Sequence, residues 1–438
     1  MKRYENIAPS LRFKKCRGDE QFPAWTKKRL ESVVDFKKGK GYSKKDLVKR
    51  GSPIFLYGRM YTNYQFEVNE VDTFAIEKPD SVLSRGNEVV VPASGETAED
   101  IARASAVLRD GMILGGDLNV MTPLNEEELS PSFLALTLSN GSVRDTIASR
   151  AQGKTIVHIH NSDLEDLLVA FPALKEQQKM ETFFRALDVL IDERGKAVGK
   201  LEDLKKAMLI RMFPQGDAKV PEVRFKIVSA TGGRGSERTW TKQRLGDAFN
   251  MNLSTNTLAR DALANVGSIK NIHYGDILRK FPTVLSAGVD DIPFVADGDF
   301  KVNSKNRLCD GDVIMADTAE DETAGKVVEI RDIGKKSVVA GLHTIALRPL
   351  IEFGEGYLGY YMNSSSYHDQ LLKLLQGSKV LSIGKNALEE TQIAYPSLAE
   401  QRKIGAFFRT LDALIAARRE EVEKFQCLKK AFLERMFP

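Results

Sequence analysis

The chain is expected to adopt an α+β fold: two globular heads separated by a pair of long antiparallel coiled-coil helices, built as an internal pseudo-twofold repeat. Three observations predict this. Residues 172–214 read PALKEQQKMETFFRALDVLIDERGKAVGKLEDLKKAMLIRMFP, and residues 396–438 read PSLAEQRKIGAFFRTLDALIAARREEVEKFQCLKKAFLERMFP. They align without a gap at an offset of roughly 224, with about two dozen identities over roughly 43 positions, which composition bias does not produce. Second, apolar residues in each copy fall at coiled-coil spacing. Third, the segments framed by the copies differ in sequence yet share a layout of short strands punctuated by Gly and Pro, a mixture that is not a doubly wound sheet.

Each copy opens on a stop-and-start signal. Pro172 and Pro396 end an extended segment. Ser397 with Glu400 makes the Ser-x-x-Glu pattern of a capping box, whereas Ala173 leaves the first copy without the capping oxygen. A short helix is expected to carry Phe183, Phe184, Phe407 and Phe408, with Asp188 and Asp412 restarting the helix as caps. Leu187, Leu201 and Met208 then fall at sevens, as do Ile191, Val198 and Met212. The second copy keeps this with Leu411, Phe425 and Phe432 beside Ile415, Val422 and Met436. Leu204 and Leu428 widen the stripe. Such a helix cannot bury its seam alone, and its nearest equal is the other copy, so the two are expected to pair within one chain. Gly195 and Gly199 stand where the second copy has Arg419 and Glu423. A helical Gly costs roughly 1 kcal/mol against Ala, so the first helix is looser there or approaches its partner more closely.

At 438 residues there is room for two or three domains with cores of their own. An apolar fraction of 42% with 28% charged residues is that of a soluble globular protein. The net charge is only +4, so any nucleic-acid footprint must be local. Cys16, Cys309 and Cys427 are far apart and odd in number, which argues for a reduced cytoplasmic protein without a zinc site. No apolar signal core or membrane-length run is present. Residues 1–24 are basic and polar, with Lys14, Lys15 and Arg17. Within them lies Pro9-Ser10-Leu11-Arg12-Phe13, a phrase that returns as Pro221-Glu222-Val223-Arg224-Phe225. Trp25 and Trp240, the only tryptophans, follow at equivalent places, each read as a core anchor more than a base-stacking ring. The Gly- and Ser-rich stretch 229–238 reads as a connector.

The expected boundaries are residues 1–171 for the first head, 172–214 for the first helical spacer, 215–395 for linker and second head, and 396–438 for the second spacer. Candidate strands are 88–91, 111–114, 292–295, 313–316, 327–330 and 344–348. A helix-prone segment at 132–148 has a counterpart at 357–375. Gln152-Gly153 and Gln376-Gly377 follow them.

Catalytic signals are lacking. The chain has no Pro-Pro pair of the kind an amino-methyltransferase uses around a flipped base, and no Walker phosphate loop. Gly232-Gly233-Arg234-Gly235 follows no convincing strand and opens no helix, so it is a loop. Asp290 and Asp291, and Asp310 with Asp312, are turn residues by context rather than a nuclease metal site. His158 and His160 alternate with Val157 and Ile159 on one strand face, with no Cys or acid at ligand spacing. The chain reads as non-catalytic and metal-free.

The residues also carry a family resemblance. The opening Pro172, Leu174, Glu176, Gln177 returns as Pro396, Leu398, Glu400, Gln401, and a heptad helix follows each time. Framing two diverged heads, this plan resembles the specificity (S) subunit of type I restriction–modification systems (HsdS). The Gln-Gly segments resemble the usual end of that family's target-recognition domains. Two further phrases resemble stretches of such domains: Tyr57-Gly58-Arg59-Met60-Tyr61-Thr62-Asn63-Tyr64 and Ile272-His273-Tyr274-Gly275-Asp276-Ile277. The resemblance implies a DNA-binding subunit in defence against foreign DNA, with two target-recognition domains that each read half of a bipartite duplex site. It implies paired helices acting as a ruler, two methyltransferase subunits docked on the helical frame, and restriction or translocase subunits joining through them. S-adenosylmethionine is then expected on the methyltransferase partner, with no cofactor in this chain. Two rival readings are a protein-binding coiled-coil scaffold and a DNA-modifying enzyme with its own active site.

On that reading the DNA contacts lie in local clusters. Lys37, Lys38, Lys40, Lys44 and Lys45 surround Gly39, Gly41, Tyr42 and Ser43, which suits phosphate contact through counterion release. Tyr57, Arg59, Tyr61, Thr62, Asn63 and Tyr64 mix base-edge donors with aromatics, against the plainer reading of an exposed strand. In the second head Lys270, Asn271, His273, Tyr274, Arg279 and Lys280 form the comparable cluster. Near the domain ends, Lys154 and His158 match Lys379 and Ser382, with Lys385 close by.

Overall fold

The computed structural model describes residues 9–13, 24–226, 239–296 and 300–437. Lys14, Lys15, Cys16, Arg17 and the stretch 229–238 lie outside the described residues. The chain divides into two compact units. One is the chain up to Arg194 with the segment from Glu421 onward; the other is Gly195–Glu420. Each unit holds one head and part of both long helices.

Each copy of the repeat forms one uninterrupted helix, Leu174–Arg211 and Leu398–Met436. The expected restart at Asp188 and Asp412 does not occur. Both lie mid-helix, where the opposite helix supplies a lysine: Lys429 bonds Asp188, and Lys205 bonds Asp412 at 2.5 Å. In the first unit Phe183 meets Phe432 edge-on at 4.9 Å and Arg194 faces Glu421 at 3.6 Å, which sets the helix segments antiparallel. In the second unit Arg419 bonds Glu202 in the same sense. Glu400 does not serve a capping box with Ser397, because its carboxylate goes to Arg224, with bonds of 3.0 and 2.7 Å.

The seam is narrower than the heptads suggest. Leu187, Val198, Leu411 and Ile415 are buried. Ile191, Leu201, Met208, Val422, Phe425 and Phe432 are half-buried. Leu204 and Leu428 lie outside the seam, 40% and 43% exposed. Lys205 and Lys429 take the heptad positions beside them, seven residues from Val198 and Val422, and turn each leucine to the flank. Gly195 and Gly199 mark no close approach, since a Cβ on either meets no other atom within 4 Å.

The heads share one strand plan despite their diverged sequences. The first has a five-stranded sheet in the order Val34–Lys38, Leu118–Pro123, Glu88–Pro92, Ser105–Val107, Glu67–Val68. The second repeats it as Phe249–Asn250, Thr344–Pro349, Val313–Ala316, Val327–Arg331, Val284–Ser286. In both the last pairing is parallel and the others antiparallel. A second sheet in each head also contains one parallel pair, Ser52–Phe55 with Asp110–Leu114 and Ile269–Ile272 with Ser337–Ala340. The strand expected at 292–295 shortens to Phe294–Val295. Residues 132–148 break into Pro131–Leu138 and Gly141–Arg150, where Ser139 turns its hydroxyl back to Ala135 O and Gly141 takes φ 60°. Residues 357–375 break likewise into Tyr357–Met362 and Ser365–Leu372.

The core of each unit is closed by the end of the other copy's helix. Phe437 packs on Phe133 at 5.6 Å in the first unit, and Phe213 stacks on Phe408 at 5.9 Å in the second. Trp25 and Trp240 join these cores, at 5.7 Å from Phe133 and 6.3 Å from Phe213. No helix among the described residues is long and apolar enough to cross a membrane.

Candidate nucleic-acid interface

In the first head, Lys37 and Lys38 end a strand and stay exposed. The chain then turns back tightly: Gly39 N donates to Leu118 O and Lys40 N to Leu114 O, at 3.0 and 3.1 Å. Gly39 is required there, because a side chain would strike the carbonyl of Gly115. Lys44 and Lys45 lie exposed on the turn Lys44–Asp46, where Ser43 serves as cap, and no acid pairs with either among the described residues. Lys40 meets Asp80 at 3.1 Å. Tyr42 is not available to DNA: it is buried, its hydroxyl 3.0 Å from Ile76 O and 2.5 Å from Ser81 Oγ. Its neighbour Asp46 is held down to about 2, first by the hydrogen bond from Lys78.

The Tyr57–Tyr64 phrase is not a strand but a turn into the short helix Arg59–Thr62. Internal contacts use most of its polar atoms. Arg59 bonds Asp72, Tyr61 donates to Ser94 O at 2.6 Å, and Tyr64 to Ala104 O at 3.1 Å. Burial pushes both tyrosine hydroxyls up, that of Tyr64 to about 12. Tyr57 packs edge-on to Tyr61, while Thr62 and Asn63 remain exposed. Ser94–Gly95 pairs with Val157–His158 in a short ribbon, and Asn161 Nδ2 donates to Lys37 O at 3.0 Å. His158 and His160 point outward, with Val157 and Ile159 buried between them. The structure thus gathers Lys37, Tyr61 and His158 around one ribbon, with Lys154 exposed on the turn before it.

The second head uses its candidates differently. Asn271 is fully buried and accepts from Asn256 Nδ2 at 2.7 Å, so it presents no amide to a base. His273 is buried too; its Nδ1 accepts from Gly275 N at 3.2 Å, and burial lowers its pKa. Lys270 reaches Ala287 O at 2.9 Å, and burial lowers its pKa as well. Lys280 is paired with Asp291 at 2.6 Å. Arg279, Lys379, Ser382 and Lys385 are exposed, although Lys385 also reaches Met251 O at 3.3 Å. Tyr274 lies 4.7 Å from the His273 ring and 5.3 Å from that of His343. Asp312 and Asp310 are structural: Arg348 holds Asp312 at 2.9 and 2.7 Å, and Asp310 accepts from Ile333 N.

Strand pairing exposes an equivalence that residue patterns did not. Ala93 N donates to Asp117 O at 2.8 Å and Ile159 N to Ala93 O at 3.1 Å. In the second head Asp317 N donates to His343 O at 3.1 Å and Ile383 N to Asp317 O at 2.9 Å. Asp117 and His343 each stand on the turn by which the chain passes from one sheet of its head to the other, at φ 57° and 52°, which few non-glycine residues adopt. The ribbon Thr318–Ala319 with Leu381–Ser382 repeats that of the first head. Gly153 and Gly377, at φ 137° and 123°, let each ribbon close; a Cβ would run into the carbonyl of Ile156 or Val380. That is the physical content of the repeated Gln-Gly.

The two heads thus follow one backbone plan and carry different side chains at equivalent positions. A family model described as the type I restriction modification DNA specificity domain matches residues 24–197 and again 237–424. The chain belongs to this family. It is 21% identical over 292 residues to the type I restriction enzyme MjaVIII specificity subunit of Methanocaldococcus jannaschii, covering 66% of this chain and 65% of that protein, a little under two thirds of the relative's length. It is 22% identical over 341 residues to a protein of the same organism provisionally named the type I restriction enzyme MjaX specificity subunit, covering 74% and 70%. In fold it is similar to the S subunit of a type I restriction–modification system from M. genitalium (TM-score 0.55, 17% identity, 99% of both chains). It is also similar to a chain from a structure on complex assembly and conformational transition of the type I R-M system (TM-score 0.56, 19% identity, 95% of this chain and 99% of that one). The family is one of non-catalytic specificity subunits, in agreement with a sequence that carries no catalytic motif.

Proposed function

We propose that this chain is the sequence-reading subunit of a type I restriction–modification complex. Each head reads one half of an asymmetric bipartite site in duplex DNA. The paired helices set the unread spacer and dock two copies of one methyltransferase subunit, which carries the S-adenosylmethionine. Restriction or translocase subunits join through that core. The observation that supports this most is the shared strand plan of the two heads with different residues at equivalent positions. One scaffold presented twice with different side chains suits two different half-sites. Exposed lysines on the Gly-containing turn of the first head suit phosphate contact. Leu204 and Leu428, equivalent in the repeat and left exposed, suit two equal apolar footholds for one kind of partner.

Replacing residues 25–170 by the head of another family member tests the reading. Methylation mapping with the methyltransferase partner should show one half-site changed and the other intact. A change in both halves removes the modular reading. Native mass measurement of the complex should give two methyltransferase chains per copy of this one, and a stable one-to-one complex at saturating partner counts against it.

A further inference from the structure

We propose that Asp317 and His343 form a base-reading pair in the second head, setting a hydrogen-bond acceptor beside a donor against the major-groove edge of one G·C base pair. The inference rests on the DNA-reading role proposed above and adds the residues and the base pair.

The two side chains are brought together by backbone, not by sequence. Asp317 leads into the ribbon strand Thr318–Ala319, and His343 stands on the turn between Ser337–Ala340 and Thr344–Pro349. The bond from Asp317 N to His343 O fixes their separation. His343 Nδ1 stands 3.6 Å from Asp317 Oδ1, too far for a good hydrogen bond. Asp317 Oδ1 is buried and no hydrogen bond reaches it among the described residues. A carboxylate oxygen left this way is costly, and such atoms call for a functional account. Oδ1 itself is covered, but the Asp317 side chain as a whole is 27% exposed and that of His343 51%, so both side chains border solvent.

The surroundings hold the pair in place. Tyr274 meets the His343 ring edge-on at 5.3 Å. His343 keeps a left-handed backbone, a strain of the kind that gathers at ligand clamps. Burial raises the Asp317 pKa, while His343 and Lys385 act to keep it ionised. In the first head the same two backbone positions carry Ala93 and Asp117. The scaffold is therefore constant, and what differs between heads at this point is the hydrogen-bonding pattern offered outward.

The chemistry selects the base pair. An ionised carboxylate only accepts, and its usual major-groove partner is the cytosine N4 amino group. An imidazole N–H donates, and guanine N7 and O6 are acceptors on the same edge. An A·T pair also offers a donor at adenine N6 and an acceptor at thymine O4, but it sets the thymine methyl against this polar pair, and that methyl is what disfavours it.

The test uses the full chain bound to its methyltransferase subunit and a randomised duplex library, with D317A, D317N and H343A beside wild type. Wild type should select G·C at one position of the half-site assigned to the second head. D317N and H343A should each lose about tenfold discrimination at that position alone, with all other positions unchanged. D317N keeps the size of the side chain, so the test survives a D317A protein that fails to fold. Unchanged preferences in both variants overturn the proposal while the DNA-reading role stands. So does a uniform loss across all sequences, which marks a merely structural pair, or a second half-site without a G·C pair. A wild-type complex with no sequence preference overturns the DNA-reading role itself and this pair with it.

Discussion

Arg12 grips Glu176 with two hydrogen bonds, of 2.9 and 2.6 Å, across 164 residues of sequence. Arg224 grips Glu400 in the same way. Beside each arginine the backbone ties down a helix end: Leu11 N donates to Arg435 O, and Val223 N to Arg211 O. The repeated five-residue phrase thus joins the end of one long helix to the start of the other.

Glu176 is almost wholly buried, its side chain 1% exposed, while Arg12 is 22% exposed. Removing Arg12 strands the buried Glu176 carboxylate, and removing Glu176 deletes both charge-assisted bonds of the 22% exposed Arg12 guanidinium. E176A is expected to lower stability by about 3 kcal/mol, and E176Q by less, because the amide oxygen still accepts from Arg12. Urea unfolding checks the order, and a cycle with R12A isolates the pair. An E176A protein as stable as wild type would remove Arg12–Glu176 from the forces holding the frame.

Gly195 and Gly199 yield the opposite sign. Both sit in the uninterrupted first helix and neither has a neighbour that a methyl group would strike. G195A and G199A should each stabilise by roughly 0.5–1 kcal/mol, mostly by restricting the unfolded chain. Thermal melts of the single and double variants decide it. A loss of stability would mean that the glycines serve a bend.

Glu181 is buried on the first long helix, and Oε1 has no hydrogen-bond partner among the described residues. Burial raises its pKa above the ordinary 4.5, and the Glu67 carboxylate adds to this; Ser130 and Arg185 oppose it. An acid with a raised folded pKa contributes stability that is present below its unfolded pKa and lost as pH rises through the folded one. E181Q should therefore gain relative to wild type as pH climbs from about 4 toward 7, and the two should converge at the acid end. Melting temperatures across that range read the difference. A constant offset at all pH values would show that the titration of Glu181 is not involved.

The frame was legible because it repeats. Leu187, Val198, Leu411 and Ile415 are seam residues that periodicity names directly, and the two tryptophans mark the cores they enter. The break expected at Asp188 failed because its partner, Lys429, lies 241 residues away. Local capping chemistry cannot register such a partner. The candidate interface was harder to read. Tyr42 and Asn271 looked like surface polar residues, yet each is buried with a partner from a distant strand or turn. Asp317 and His343 carry no local signal; only the matching backbone hydrogen bonds of the two heads show that they answer to Ala93 and Asp117.

The long helices also make the spacing proposal testable. The first spans 38 residues without interruption, roughly 57 Å at 1.5 Å per residue. The part from Asp188 to Met212 alone gives about 37 Å, close to the roughly 34–36 Å of one duplex turn. Seven residues preserve the heptad seam and add about 10 Å, equal to roughly three base pairs of axial rise. One heptad inserted after Lys200 and one after Lys424, equivalent points of the repeat, should lengthen the preferred spacer and leave both half-site sequences unchanged. The added twist weakens binding to a fixed site, so the measurement is methylation or selection across duplexes of graded spacer length. A folded, active double insertion that keeps the original spacer would show that the helices do not set the distance.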